Sequence, residues 1–141
     1  MPVLPRPDQL QALKQRAPDG PLFMLNLLKF REQAVYADGR STDLTGAEAY
    51  SLYLVAVAKI IAGFGGRMVW EGVPNVLFIG DGEMPWDYVV IVEYPSFDAF
   101  RGMTDSANYQ AIQVHREAGL AHQLLINCLS AAQAQVLASR R

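Results

Sequence analysis

Residues 22–30 read LFMLNLLKF, apolar at every position but Asn26 and Lys29, directly after the turn residues Asp19-Gly20-Pro21. A run of that length with turn signals in front predicts a buried strand rather than a helix. Ahead of it, residues 8–16 carry Leu10 and Leu13 at helical spacing behind a proline-rich start, which predicts a short amphipathic helix appended to the main domain. Residues 31–44 are polar and contain Asp38-Gly39, the dipeptide of tight turns, and read as a loop or small flap. Thr45-Gly-Ala-Glu48 is a capping box, and Tyr50, Tyr53, Leu54, Val57, Ile61 and Phe64 then recur at three and four residues. A long amphipathic helix follows from this, stopped by Gly65-Gly66. Residues 67–72 and 76–79 predict a second strand bent or bulged around Pro74-Asn75, because proline cannot donate to a ladder. Residues 87–94, DYVVIVEY, make a third strand, ended by Pro95, after which Ser96 caps a helix with Phe97, Phe100 and Met103 on one side. Ser106 caps a second helical piece through Tyr109, Ile112 and Arg116 to Gly119. Residues 123–129 form the fourth strand, and residues 131–141 a tail with helical character.

The order strand-helix-strand, strand-helix-strand is the ferredoxin-like, split βαβ plan (βαββαβ). This α+β architecture puts both helices on one face of a four-stranded antiparallel sheet. Its boundaries are an N-terminal extension at 1–21, a main domain at 22–130 and a tail at 131–141. An antiparallel sheet with one wet face alternates apolar and polar residues, yet strands one, three and four are apolar on both parities. The second face therefore needs a cover, and a two-fold dimer packing sheet on sheet supplies one.

Length and composition agree with a single domain: 141 residues, 51% apolar and 18% charged. A chain of that length buries roughly 70% of its unfolded surface and needs no disulfide or metal to stay folded. Twelve Lys and Arg against fourteen Asp and Glu give a net charge of -2 with no basic cluster, which argues against nucleic acid. The single cysteine, Cys128, lies in an apolar run and reads as a buried thiol, as fits a reducing cytoplasm. The start of the chain lacks the features of a signal peptide, and Lys59 cuts the longest apolar stretch, so neither export nor a membrane span is expected.

Several motifs in this order are familiar: MLNLLKF in the first strand, Ala49-Tyr50-x-x-Tyr53 in the first long helix, and Gly65-Gly66-Arg67. Val90-Ile91-Val92-Glu93-Tyr94-Pro95-Ser96 then runs into Ala99-Phe100, and Ser106-x-x-Tyr109 precedes Arg116. Together they resemble the domain-of-unknown-function family 1330 of the dimeric α+β barrel superfamily, over residues 22–129. The resemblance implies that fold and a homodimer. The wider superfamily includes cofactor-free monooxygenases, muconolactone isomerase-like enzymes, haem-degrading enzymes and binding modules, and a shared fold does not select among them.

Asn26 is an amide in the middle of a buried strand and needs a partner, either internal or a ligand. The resemblance implies that it faces a cavity between sheet and helices. Glu93 interrupts another apolar strand; it is a candidate general base if burial tunes it, or half of an ion pair with Arg116 or Arg67. Parity does not decide whether Asn26 and Glu93 share a face. His115, beside Arg116, is a candidate acid or base, or a surface cap near a helix end. Tyr53, Trp70 and Tyr109 combine apolar bodies with polar tips, suited either to a ligand pocket or to core packing. Ser106 lacks the setting of a nucleophile, and His115 and His122 lack the spacing of a metal site.

Two readings follow. One is a small enzyme without metal or organic cofactor, using Asn26, Glu93, His115 and Arg116 on a small organic molecule bound by Tyr53, Trp70 and Tyr109. The other is a non-catalytic binding or structural dimer in which the same residues tie helices to sheet. An accessible polar cavity favours the first and a filled core the second.

Overall fold

A computed structural model of the chain describes residues 3–139. Four strands, β1 (Leu22–Phe30), β2 (Arg67–Gly72), β3 (Tyr88–Tyr94) and β4 (Leu120–Cys128), form one antiparallel sheet in the order β2-β3-β1-β4. Helix α1 (Pro7–Arg16) precedes β1, α2 (Gly46–Gly63) joins β1 to β2, α3 (Phe97–Asp105) and α4 (Ala107–Gly119) join β3 to β4, and α5 (Ala131–Ser139) ends the described chain. This is the ferredoxin-like arrangement expected from the element order.

Register decides which residues meet the helices. Leu22, Met24, Asn26 and Leu28 of β1 stand opposite Tyr94, Val92, Val90 and Tyr88 of β3. On the other side Met24, Asn26 and Leu28 stand opposite Asn127, Leu125 and Gln123 of β4. Paired residues share a face, and side chains alternate along a strand, so all of these belong to one face. That face supplies Leu22, Met24, Leu28, Val90, Val92 and Tyr94 to a core completed by Tyr50, Tyr53, Val57 and Ile61 of α2, Phe100 and Met103 of α3, and Tyr109 of α4. Leu22, Leu28, Met103 and Leu120 are fully buried there, each worth about 1.5–3 kcal/mol in transfer from water. The opposite parity, with Phe23, Leu25, Leu27, Ile91, Trp70, Leu124 and Ile126, stays partly or wholly exposed in the single chain. The doubly apolar strands thus reflect one covered face and one that is bare.

Helix ends follow their sequence signals. Thr45 Oγ1 accepts from the Glu48 amide at 3.1 Å and Glu48 Oε1 accepts from the Thr45 amide at 2.9 Å. Thr45→Ala is expected to cost about 1 kcal/mol, read as a lower urea midpoint at unchanged slope. Ser106 Oγ accepts from the Tyr109 amide at 3.2 Å, which separates α3 from α4. Helix α2 has the length and composition to cross a bilayer, but its Ala49, Tyr50, Tyr53, Val57 and Ile61 are buried in the folded chain.

Four local expectations are corrected. The second strand ends at Gly72: residues 76–79 lie in a loop, with Phe78 and Ile79 more than four-fifths exposed. Pro74 withholds a donor and Gly80 and Gly82 turn the chain at positive φ, so composition alone misreads this segment. The register irregularity falls between Met68 and Trp70 rather than at Pro74-Asn75. Cys128 is exposed, because it pairs with Phe23 on the bare face. The N-terminal helix is not a mere appendage, since Val3, Leu13 and Ala17 pack against the main core.

Candidate functional site

A cleft of about 1360 Å³ opens between the helix face of the sheet and the segments that carry α1 and α5. Its inner wall includes Asn26, Tyr50, Tyr53, Tyr94, Tyr109, Arg116 and Gln123. A polar chain runs along its floor. Asn26 Nδ2 donates to the carbonyls of Val90 at 3.2 Å and Met24 at 3.3 Å, while its Oδ1 accepts from Gln123 Nε2 at 2.9 Å. Gln123 Oε1 in turn accepts from Arg116 Nη2, which also donates to the Val3 carbonyl at 2.5 Å. The sheet therefore orients an arginine carried by α4 through two side-chain amides.

Arg116 is only 8% exposed, and no carboxylate pairs with it among the described residues. Its Nη1 is buried without a hydrogen-bond partner among the described residues. A buried cation held only by neutral acceptors is costly, and the surrounding structure retains it against that cost. The cleft's carboxylates, among its described lining, are the exposed Asp19 and Asp105, the latter paired with Arg101 at 3.3 Å, and no histidine lines it. The inner wall thus offers hydrogen-bond donors and no strong base.

The tyrosines form a second polar feature. Tyr53 Oη donates to Tyr109 Oη at 3.3 Å, and the rings of Tyr50 and Tyr53 lie 5.2 Å apart. Burial pushes the hydroxyls of Tyr50, Tyr53 and Tyr94 well above the ordinary tyrosine value, and the charge of Arg116 partly opposes this at Tyr50 and Tyr53. Their folded-state values are raised, so the stability they contribute is complete below pH 10, where unfolded tyrosine begins to ionise, and is lost as pH climbs through the folded values. Alkaline titration should show tyrosinate absorbance and unfolding rising together above pH 10, with the cooperative step weakened in Tyr53→Phe.

The structure brings together Asn26, Tyr53, Tyr109 and Arg116. It does not bring Glu93, Trp70 or His115 to them. Glu93 pairs with Phe23 and Arg67 in the sheet and so occupies the bare face, where Arg67 Nε meets its carboxylate at 3.4 Å. Trp70 pairs with Ile91 on that same face and is 56% exposed. His115 sits under the 31–44 flap, hydrogen bonded through Nδ1 to Tyr36 Oη at 2.7 Å, and burial with the nearby charge of Arg40 lowers its pKa. The flap is held there by the Val35 amide donating to the Ala118 carbonyl at 3.0 Å. Gln123 and the Val3 carbonyl were not legible as site groups; a glutamine opening the apolar run QLLINC was the one available signal.

The model of the family described as "Domain of unknown function (DUF1330)" matches residues 34–127. The chain belongs to this family. A crystal structure of a protein of unknown function from Rhodopseudomonas palustris is 33% identical to this DUF1330 chain, with TM-score 0.80, covering 89% of the chain and 94% of the other. A DABB family protein with a ferredoxin-like fold from Mesorhizobium loti is 11% identical, with TM-score 0.51, over 79% of this chain and 97% of its own. A proposed antibiotic biosynthesis monooxygenase from Caulobacter crescentus is 15% identical, with TM-score 0.52, over 84% and 99%. At the last two identities the likeness is one of fold. No curated protein matches the chain.

Proposed function

We propose that this DUF1330 protein is a cofactor-independent enzyme of the monooxygenase or isomerase kind, acting on a small organic molecule in the cleft between sheet and helices. The observation that carries the reading is the unpaired, buried Arg116 oriented by Gln123 and Asn26 beside the Tyr53 and Tyr109 hydroxyls. Preorganised donors in a site withdrawn from water stabilise negative charge as it develops on a ligand. Loss of a proton beside a carbonyl or on a phenol, taken up by solvent water in the open cleft because its described inner wall holds no base, generates such an anion. Isomerisation returns the proton to another carbon, whereas with oxygen the anion's electron pair reduces dioxygen to a substrate hydroperoxide that loses water. Arg116 and Tyr109 are the charge-stabilising groups, Asn26 and Gln123 the positioning ones.

The working form is a homodimer paired through the bare sheet face. Phe23, Leu25, Leu27, Leu124 and Ile126 form a continuous apolar strip across β1 and β4 there, of the kind a two-fold interface buries. A cytoplasmic location goes with this reading.

The reaction is tested by incubating the protein, without added metal or flavin, with a panel of enolisable aromatic ketones and lactones, each with and without a carboxylate substituent, in deuterated buffer. Deuterium uptake and oxygen consumption are followed together. The reading expects one or both above the buffer rate for at least one compound, falling about 10²-fold in Arg116→Lys. Compounds that bind but neither exchange nor consume oxygen support the second reading, a non-catalytic binding module. That reading is favoured by the closed bonding of Asn26, whose amide already has an internal partner on each side.

A further inference from the structure

We infer that the ligand of this cleft is an aromatic carboxylate, whose carboxylate group takes the place on Arg116 now held by the Val3 carbonyl. The inference rests on the binding cleft proposed above and names its ligand class. Arg116 Nη2 is occupied by two neutral acceptors, the Gln123 side chain and the Val3 main chain, while the neighbouring Nη1 is buried with no acceptor among the described residues. A guanidinium presents its terminal N–H groups as a fork that matches the two oxygens of a carboxylate. A single carbonyl fills one prong and leaves the other empty, which is the arrangement seen.

The rest of the cleft agrees with an anion. Its charged lining is Arg6, Arg16, Arg101 and Arg116 against Asp19 and Asp105, a positive surplus in a chain whose net charge is -2. The walls are aromatic, with Tyr50, Tyr53, Tyr94, Phe100 and Tyr109 facing one space, which suits a flat unsaturated body attached to the charge. The group that the carboxylate displaces belongs to the segment just ahead of α1, where residues 3–6 line the same cleft and Leu4 is 51% exposed. When that segment moves, Val3 gives up its packing on the core, while Arg116 stays held from the other side by Gln123 and Asn26.

The test is calorimetric titration of the full chain at pH 7 with phenylacetate and with phenylacetamide, which has the same shape and no charge. The inference expects the acid to bind about tenfold or more tightly than the amide. Arg116→Lys, which keeps the charge and loses the fork, should reduce that preference. Gln123→Glu, which sets a carboxylate of the protein's own against Arg116, should abolish it in a chain whose circular dichroism is unchanged. The carbonyl carbon resonance of Val3, whose oxygen accepts from Arg116 in the free protein, should shift when phenylacetate binds. Equal binding of acid and amide, or a preference unaffected by Gln123→Glu, overturns the carboxylate assignment while leaving the cleft reading intact. Failure of both compounds to bind overturns the carboxylate assignment, while the cleft reading stands or falls separately on the exchange and oxygen assay. An unshifted Val3 carbonyl resonance at saturation overturns the displacement of Val3.

Discussion

Gly46→Ala is expected to destabilise the protein by about 3 kcal/mol or more, a large share of the stability of a domain this size. A Cβ on Gly46 would lie 2.0 Å from the Arg31 carbonyl oxygen and 2.7 Å from its carbon and nitrogen. These are main-chain atoms at the exit of β1, and they do not yield as the tip of a side chain does. The Arg31 amide is itself tied to the Gly119 carbonyl at 2.8 Å, and a Cβ on Gly119 would in turn meet the Gly46 carbonyl oxygen at 2.4 Å. The end of β1, the start of α2 and the end of α4 therefore touch backbone to backbone, which is what sets the helix pair on the sheet and the depth of the cleft beneath it. Gly63→Ala is the control, since its Cβ meets nothing within 4 Å and replaces glycine in a helix; it should be neutral or stabilise by roughly 0.5–1 kcal/mol. Urea denaturation of the two variants separates the cases, and equal midpoints would contradict the close packing.

Leu25→Asp is expected to convert a dimer into a monomer. Leu25 stands opposite Ile91 on one side and Ile126 on the other, at the middle of the bare face. Two carboxylates brought together across a two-fold axis there would each be stripped of water without a cation to answer them. The native protein should scatter light with a mass of about 31 kDa, twice the 15.6 kDa of one chain, and the variant should fall to one chain mass while keeping its secondary structure. A native protein that runs as a monomer would contradict the pairing, and so would a Leu25→Asp variant that remains dimeric.

Much of the architecture is legible in the sequence because its signals are local. Thr45 with Glu48, Ser96, Ser106 and Gly65 each act within four residues of themselves, and they place the helix ends where the structure has them. What depends on pairing between distant strands is not legible. Asn26 stands out as an amide in an apolar strand, but its partner Gln123 lies 97 residues away, and only the β1–β4 register brings the two together. Glu93 stands out by the same logic, yet with Val89 to Val92 apolar on both parities nothing local tells which face it takes; the β1–β3 register sends it away from Asn26. The segment 76–79 fails in the other direction. Its residues have strand propensity, and Pro74 with the two glycines after it deny them a ladder. Arg116 is apparent as a charge on a helix, whereas its burial without a counter-ion is a property of the assembled fold.

We propose the chain from Asn26 through Gln123 to Arg116 as the floor of a ligand site. The most direct test is a crystal structure of the protein purified from cells with no ligand added, inspected between the helices and the sheet. Density for a small organic molecule in contact with Arg116 Nη1 and the Tyr109 hydroxyl is expected, or an open, water-filled cavity reaching both. A dry interior with side chains packed against Arg116 and no space beside Tyr53 and Tyr109 would contradict it and leave a structural dimer in its place.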